Sequence, residues 1–224
     1  MDNPWKNFRC KNRSMILPVD REAINHYNKK QLSKSTMIVI DSIPSPFIGN
    51  PSSARLVLLN LNPGHSKKDL LDQHDPNFRK AMILTLKHEL QDFPFYPLNP
   101  AFKHTGGGEW WNTILGPLKR ELQLDDATLS RMLMVIEWFP YHSTRSGLPR
   151  SYICKSQEYS FYLAKKMIHK SDAIIIGMRS REHWCTTIPE FEKVCFLTNT
   201  QRPWISKGNM DEHLFERIIK RLRQ

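Results

Sequence analysis

Four polar clusters, each at the end of an apolar run, hold most of the side chains in this sequence that could do chemistry. Asn62-Pro63-Gly64-His65-Ser66 follows ARLVLLNL (54–61). Glu137-Trp138-Phe139-Pro140-Tyr141-His142-Ser143 closes RMLMVIEWF (131–139), and Arg179-Ser180 follows DAIIIGM (172–178). Asn199 to Ser206, with Gln201, Arg202, Trp204 and Ile205 between them, follows KVCFLTN (193–199). Three of the four clusters set an amide or carboxylate beside proline and an aromatic or hydroxyl group, and the recurrence argues for one shared site. An amide such as Asn62 can orient a water through its carbonyl but cannot take its proton. A carboxylate at Glu137 only accepts hydrogen bonds, His142 offers an N–H, and Gly64 lets backbone approach a ligand closely. Each has a plainer role: an Asx turn before Pro63, a turn glycine, an ion pair between Glu137 and one of 33 cations, a hydrogen-bonded structural histidine.

Those clusters need a scaffold that brings them together. The runs 54–61, 131–139, 172–178 and 193–199 are nearly continuous in apolar character, as expected of parallel strands covered on both faces. TMIVI (36–40) reads as a weak edge strand. Apolar residues at three- and four-residue spacing predict helices over 75–91, 109–124, 156–170 and 209–223. Gly116-Pro117 should kink or split the second, and Ser156 is placed to cap the third. The cations of the last helix read as a solvated face rather than a ligand contact. Strands alternating with helices give an α/β class, a three-layer α/β/α sandwich around a mainly parallel four-stranded sheet. In such sheets ligands bind beyond the carboxyl ends of the strands, where the four clusters lie. The segment 92–111 is long, irregular and rich in aromatic residues, which marks it as functional rather than disordered. The whole chain, 1–224, reads as a single domain with residues 1–50 as an extension packed on the core.

Composition narrows the partner. The net charge is +11, spread along the chain rather than gathered in a tail, which suits a folded basic face and a polyanion such as nucleic acid. No apolar run is long enough to span a membrane, and the N-terminus lacks the apolar stretch of a secretory signal. Cys10, Cys154, Cys185 and Cys195 show no C-x-x-C spacing, so neither a zinc ribbon nor a redox motif is expected, and reduced thiols in a cytoplasm are the simplest reading. No metal or cofactor is expected.

At this point the residues carry a resemblance. LVLLNLNPG resembles the first motif of the uracil-DNA glycosylase superfamily, in particular the branch that reads Gly-Ile-Asn-Pro-Gly in mismatch-specific enzymes. NTQRPWIS sits where that superfamily places its second short motif, a His- or Asn-led Pro-Ser segment followed by a wedge residue. The blocks PFY, GGxWW, FPYHS and SQEY are similar to those of a group of bacterial glycosylase-like sequences. The likeness covers roughly residues 50–210 as architecture, and only the first motif matches closely in letters.

What the resemblance implies is specific. Asn62 would position the attacking water. Gln201 or Asn199 would stabilise the leaving base in place of the superfamily's histidine. Phe95 or Tyr96 would stack on the everted base, with core packing as the alternative for either ring, while Trp110 and Trp111 read as structural. Gly64, His65, Glu137 and His142 would line the base pocket. Glu137 replaces an asparagine, and a carboxylate there would suit the exocyclic amine of cytosine and repel a uracil carbonyl. Ser66, Lys67, Arg179, Arg202 and Lys207 would hold DNA, and Trp204 or Ile205 would fill the vacated stack, core packing being the alternative for Trp204. The implied activity is that of a monomeric, monofunctional DNA glycosylase acting on a modified or mismatched base. A modified cytosine of phage DNA is one such substrate. The competing readings are a DNA-binding protein that kept the fold without the chemistry, and a hydrolase of free nucleosides or nucleotides.

Overall fold

The computed structural model describes residues 1–9, 14–170 and 172–224. Strands β1 (Phe47–Gly49), β2 (Leu56–Asn60), β3 (Leu133–Glu137), β4 (Ile174–Gly177) and β5 (Cys195–Phe196) form one sheet in the order β1-β3-β2-β4-β5. β3, β2, β4 and β5 are mutually parallel, and β1 pairs antiparallel with β3. Among the described residues eight α-helices surround it: α1 (Arg21–Lys29), α2 (Lys67–Asp72), α3 (Pro76–Lys87), α4 (Gly106–Leu122), α5 (Asp126–Met132), α6 (Gln157–Ile168), α7 (Arg181–Thr187) and α8 (Glu212–Arg223). This is an α/β fold with a mostly parallel mixed sheet, consistent with three layers.

β2 and β3 are buried at every position, which is why they read as unbroken apolar runs. Their register sets Asn60 beside Glu137 at the carboxyl end. The chain passes from β2 to β3 on one side and then crosses to β4 on the other. That reversal opens a crevice beyond the end of β2, the place where open α/β sheets hold ligands.

The sheet differs from the expected four strands. Residues 36–40 form no strand; Val39 N–H instead donates to His142 O at 2.9 Å. The antiparallel edge is Phe47–Gly49, hidden in a proline-bordered stretch too short to show a period. Gly49 takes φ +107° there, and a Cβ would lie 2.3 Å from Leu133 O, so only glycine fits. β5 is two residues long, not seven.

Helix α4 begins at Gly106, three residues before its expected start, with Thr105 Oγ1 accepting from Gly108 N–H at 3.0 Å. It continues through Pro117 without splitting. α6 begins after Ser156, but that hydroxyl makes no capping bond. Its backbone N–H donates instead to buried Asp20 Oδ1 at 3.0 Å, while Tyr141 O–H donates to Asp20 Oδ2 at 2.6 Å. Asp20 so ties the N-terminal segment to the loop after β3 and to α6. Trp5, Ile16, Leu17 and Ile24 from that segment are buried in the same core. No helix among the described residues is long and apolar enough to cross a membrane. Cys154, Cys185 and Cys195 are free thiols; Cys10 lies outside the described residues.

Candidate functional site

A cavity of about 490 Å³ opens in the crevice at the end of β2. Its wall takes Asn60 to Ser66 from β2 and the loop behind it, Glu137 and His142 to Thr144 from β3 and its loop, and Arg179 from the end of β4. Phe78 and Met82 of α3, Tyr96, and Gly106, Gly107, Trp110 and Trp111 of α4 close the other side. The clusters behind the first three parallel strands therefore meet at one place.

Asn62 is held by its amide nitrogen. Nδ2 donates to Ser143 Oγ at 2.9 Å, Pro63 O at 3.2 Å and Tyr141 O at 3.3 Å. Backbone carbonyls can only accept, so the amide orientation is fixed by chemistry. The carbonyl Oδ1 is left for the cavity. The loop beneath is rigid: Ser143 N–H donates to Pro63 O at 3.3 Å, and Gly64 pairs with Ser143 as a one-residue parallel bridge.

Glu137 is 5 % exposed. Its Oε1 accepts from Asn60 Nδ2 at 3.1 Å, and its Oε2 is buried without a partner. Burial pushes its pKa up to about 8, against smaller opposing pulls from the Asn60 amide and the Arg179 guanidinium. The upward shift favours the protonated form, which offers one donor and one acceptor rather than acceptors alone. Asn60 was not singled out in the sequence. Its signal was there, a second amide closing the same apolar run two residues before Asn62.

His142 stands in the cavity wall with both ring nitrogens beside backbone carbonyls. Its Nδ1 lies 2.6 Å from Gly64 O and its Nε2 2.9 Å from Ile43 O. Burial lowers its pKa although both carbonyls pull the other way. It ties the β2 loop to the segment before β1, a structural role in place of the base contact expected. His65 lines the cavity, and its Nδ1 is buried without a partner. Ser66 caps α2 through a reciprocal pair with Asp69; Lys67, the first residue of that helix, is exposed and off the wall.

Of the two rings expected to stack, Tyr96 lines the cavity and Phe95 does not. Phe95 is fully buried and meets Trp111 edge-on at 5.0 Å. Trp110 and Trp111, read as structural, stand in the wall. Arg179 bridges two regions: its guanidinium sits 5.9 Å from the Trp110 ring, and its Nε donates to Thr200 O at 3.0 Å.

Asn199, Gln201, Arg202, Trp204, Ile205 and Lys207 lie outside the cavity wall. Asn199 Oδ1 accepts from the backbone N–H groups of Gln201 and Arg202, at 3.1 and 2.9 Å, and the residue stands off the cavity wall rather than beside a base held there. Gln201 and Arg202 are exposed, Ile205 is core, and Lys207 pairs with Glu212. Trp204 is 41 % exposed, which excludes core packing. No three His, Cys, Asp or Glu side chains gather as a metal site among the described residues.

Compared with family models, with curated proteins and with solved structures, the chain matches none.

Proposed function

We propose that this protein is a monofunctional DNA glycosylase on a three-layer α/β/α fold of the uracil-DNA glycosylase kind. It draws a modified or mismatched base out of the duplex into the cavity and hydrolyses its N-glycosidic bond. The observation that carries this reading is Asn62: its nitrogen is bonded to the protein, its carbonyl oxygen has no partner among the described residues, and it lines a cavity walled by aromatic rings and a buried acid.

The step balances without a strong base. Asn62 Oδ1 accepts a hydrogen bond from a water and aims its oxygen at C1′. That oxygen bonds C1′ as the C1′–N bond breaks, and the bonding pair leaves with the base. The water's proton passes to solvent or to the departing base, since an amide cannot hold it. General-base assistance is typically worth about 10²–10⁴-fold, so an amide enzyme depends more on holding the base and stabilising its charge. Eversion costs a few kcal/mol, repaid by stacking and hydrogen bonds in the pocket. Tyr96, Phe78 and Trp110 offer the stacking faces.

Glu137 reads the base edge. As an acid it accepts from a cytosine N4 amine while donating to N3. The same form can donate to a uracil O4, so discrimination against carbonyls belongs only to the ionised form. The cavity volume falls within the range of about 300–1,000 Å³ typical of drug-sized ligands, which leaves room for a substituent on the base. Modified cytosines, including those of phage DNA, are therefore the first substrates to try. The test is incubation with duplexes bearing uracil, mismatched thymine, alkylated bases, and hydroxymethylated or glucosylated cytosine, with mass spectrometry for free base. Release from one class supports the reading; release from none, beside intact duplex binding, favours a DNA-binding protein.

A further inference from the structure

The last residue of β2 and the last residue of β3 hold each other. Asn60 and Glu137 stand side by side in the parallel register, and Asn60 Nδ2 donates to Glu137 Oε1 at 3.1 Å. Both are buried, 7 % and 5 % exposed, and both line the cavity. The backbone of Asn60 is pinned as well. Its carbonyl accepts from Trp138 N–H at 3.1 Å and from Trp184 Nε1–H at 2.7 Å. The side-chain oxygen Oδ1 has no partner among the described residues. An amide with its nitrogen engaged and its oxygen unpaired offers a ligand an acceptor. Two residues on, Asn62 is also held by its nitrogen. Neither member of the pair follows the motif that the sequence resembles. Gly-Ile-Asn-Pro-Gly has glycine where Asn60 stands, and Glu137 replaces an asparagine. The two departures are in contact, so each has its reason in the other.

We propose that Asn60 determines specificity in the cavity: its Oδ1 accepts a hydrogen bond from an exocyclic amine on the bound base, and Glu137 is the positioning residue that keeps the amide turned that way. The substrate class is then bases that carry an amine, as cytosine and adenine do, rather than bases with a carbonyl at the same place. An exocyclic amine has two N–H donors, so it can serve Asn60 and Glu137 at once. A carbonyl oxygen there would meet another carbonyl oxygen and leave the buried acceptor unpaired, which is costly. A site built to hydrogen-bond an N–H rejects the analogue that lacks it far better than an apolar pocket rejects a missing methylene. The strand ends keep the reader in place before any ligand arrives, so the preference draws on a preorganised group. How a base reaches the cavity rests on the glycosylase reading; the preference itself is a property of binding.

The experiment therefore measures affinity and needs no bond to break. A duplex carries one 2′-fluoroarabino nucleotide, whose fluorine draws electrons from C1′ and keeps the glycosidic bond intact. It stands opposite a tetrahydrofuran abasic analogue, so no pairing energy enters. Cytosine and uracil are compared as its base by fluorescence anisotropy. The wild type should favour cytosine about tenfold or more, the order of one buried acceptor left unpaired. Asn60→Leu should bring the ratio to about one, while a duplex without the fluoro nucleotide binds within about twofold of wild type; a purely structural role would weaken both bases equally. Glu137→Met, which offers Nδ2 no acceptor, should lose the preference with Asn60 still in place. Glu137→Gln, which restores an oxygen to Nδ2, should recover it. A wild-type ratio near one, or in favour of uracil, overturns the proposal, and so does a preference that survives Asn60→Leu. An Asn60-dependent preference in a protein that frees no base from any DNA keeps the assignment and removes the glycosylase; base release indifferent to Asn60→Leu and to the amine does the reverse.

Discussion

At the scale of single residues, the site turns on two side chains whose hydrogen bonds are unequally filled. Asn62 spends its nitrogen on the protein and keeps its oxygen, while Glu137 spends one oxygen on Asn60 and leaves the other buried and unpaired. An unpaired buried oxygen is costly, and the residue that carries it stands in the cavity wall. The cost has a pH signature. The native pKa of Glu137, about 8, lies above its ordinary 4.5. Between those values the folded chain keeps a proton that the unfolded chain has released, so stability falls as pH rises through that window, by an amount on the order of a few kcal/mol. Glu137→Gln removes the ionisation and keeps an acceptor for Asn60. Melting curves from pH 5 to 8 should show the variant gaining on the wild type as pH rises; parallel curves would mean that Glu137 is ionised in the native state. Asn62, Gly64, His65, Ser66, Glu137, His142 and Arg179 were legible in the sequence as neighbours because polar residues ending apolar strands must lie at one sheet edge, whereas Tyr96 was reached only through the resemblance. Direction was not legible. His142 turned inward to two carbonyls, and Asn199 turned onto its own loop, because local backbone partners outcompete a distant site.

At the scale of elements, β2, β3 and β4 were readable because burial on both faces demands apolar runs. β1 was not, since three residues between prolines and a turn carry no period. The start of α4 was misplaced by three residues because glycines argue against helix. The glycines have different reasons to be there. A Cβ at Gly108 would lie 2.1 Å from Phe102 O, whereas one at Gly107 meets nothing within 4 Å. Gly108→Ala should therefore destabilise the fold by more than about 3 kcal/mol, because backbone must move. Gly107→Ala should leave stability within about 1 kcal/mol, with helix propensity in its favour, and Gly107→Leu should block ligand entry because Gly107 lines the cavity. Denaturant midpoints check the first two, and base release the third.

At the scale of the molecule, a net charge of +11 is the feature that composition alone tied to a polyanion. Duplex affinity should fall steeply with salt, with a log–log slope of about −0.9 per phosphate neutralised; Arg202→Ala should make that slope shallower by about one, and a flat salt dependence would favour free nucleosides over polymer. The account comes to rest on the water aimed by Asn62. The direct measurement is single-turnover release of whichever base the wild type frees, compared with Asn62→Ala and Asn62→Asp at equal DNA occupancy. Release should drop about 100-fold or more in the alanine variant. The aspartate variant gains a base but loses the Nδ2 bonds to Pro63 O and Tyr141 O that hold the group in place, and should fall between the alanine variant and the wild type. Undiminished release by Asn62→Ala would contradict the mechanism.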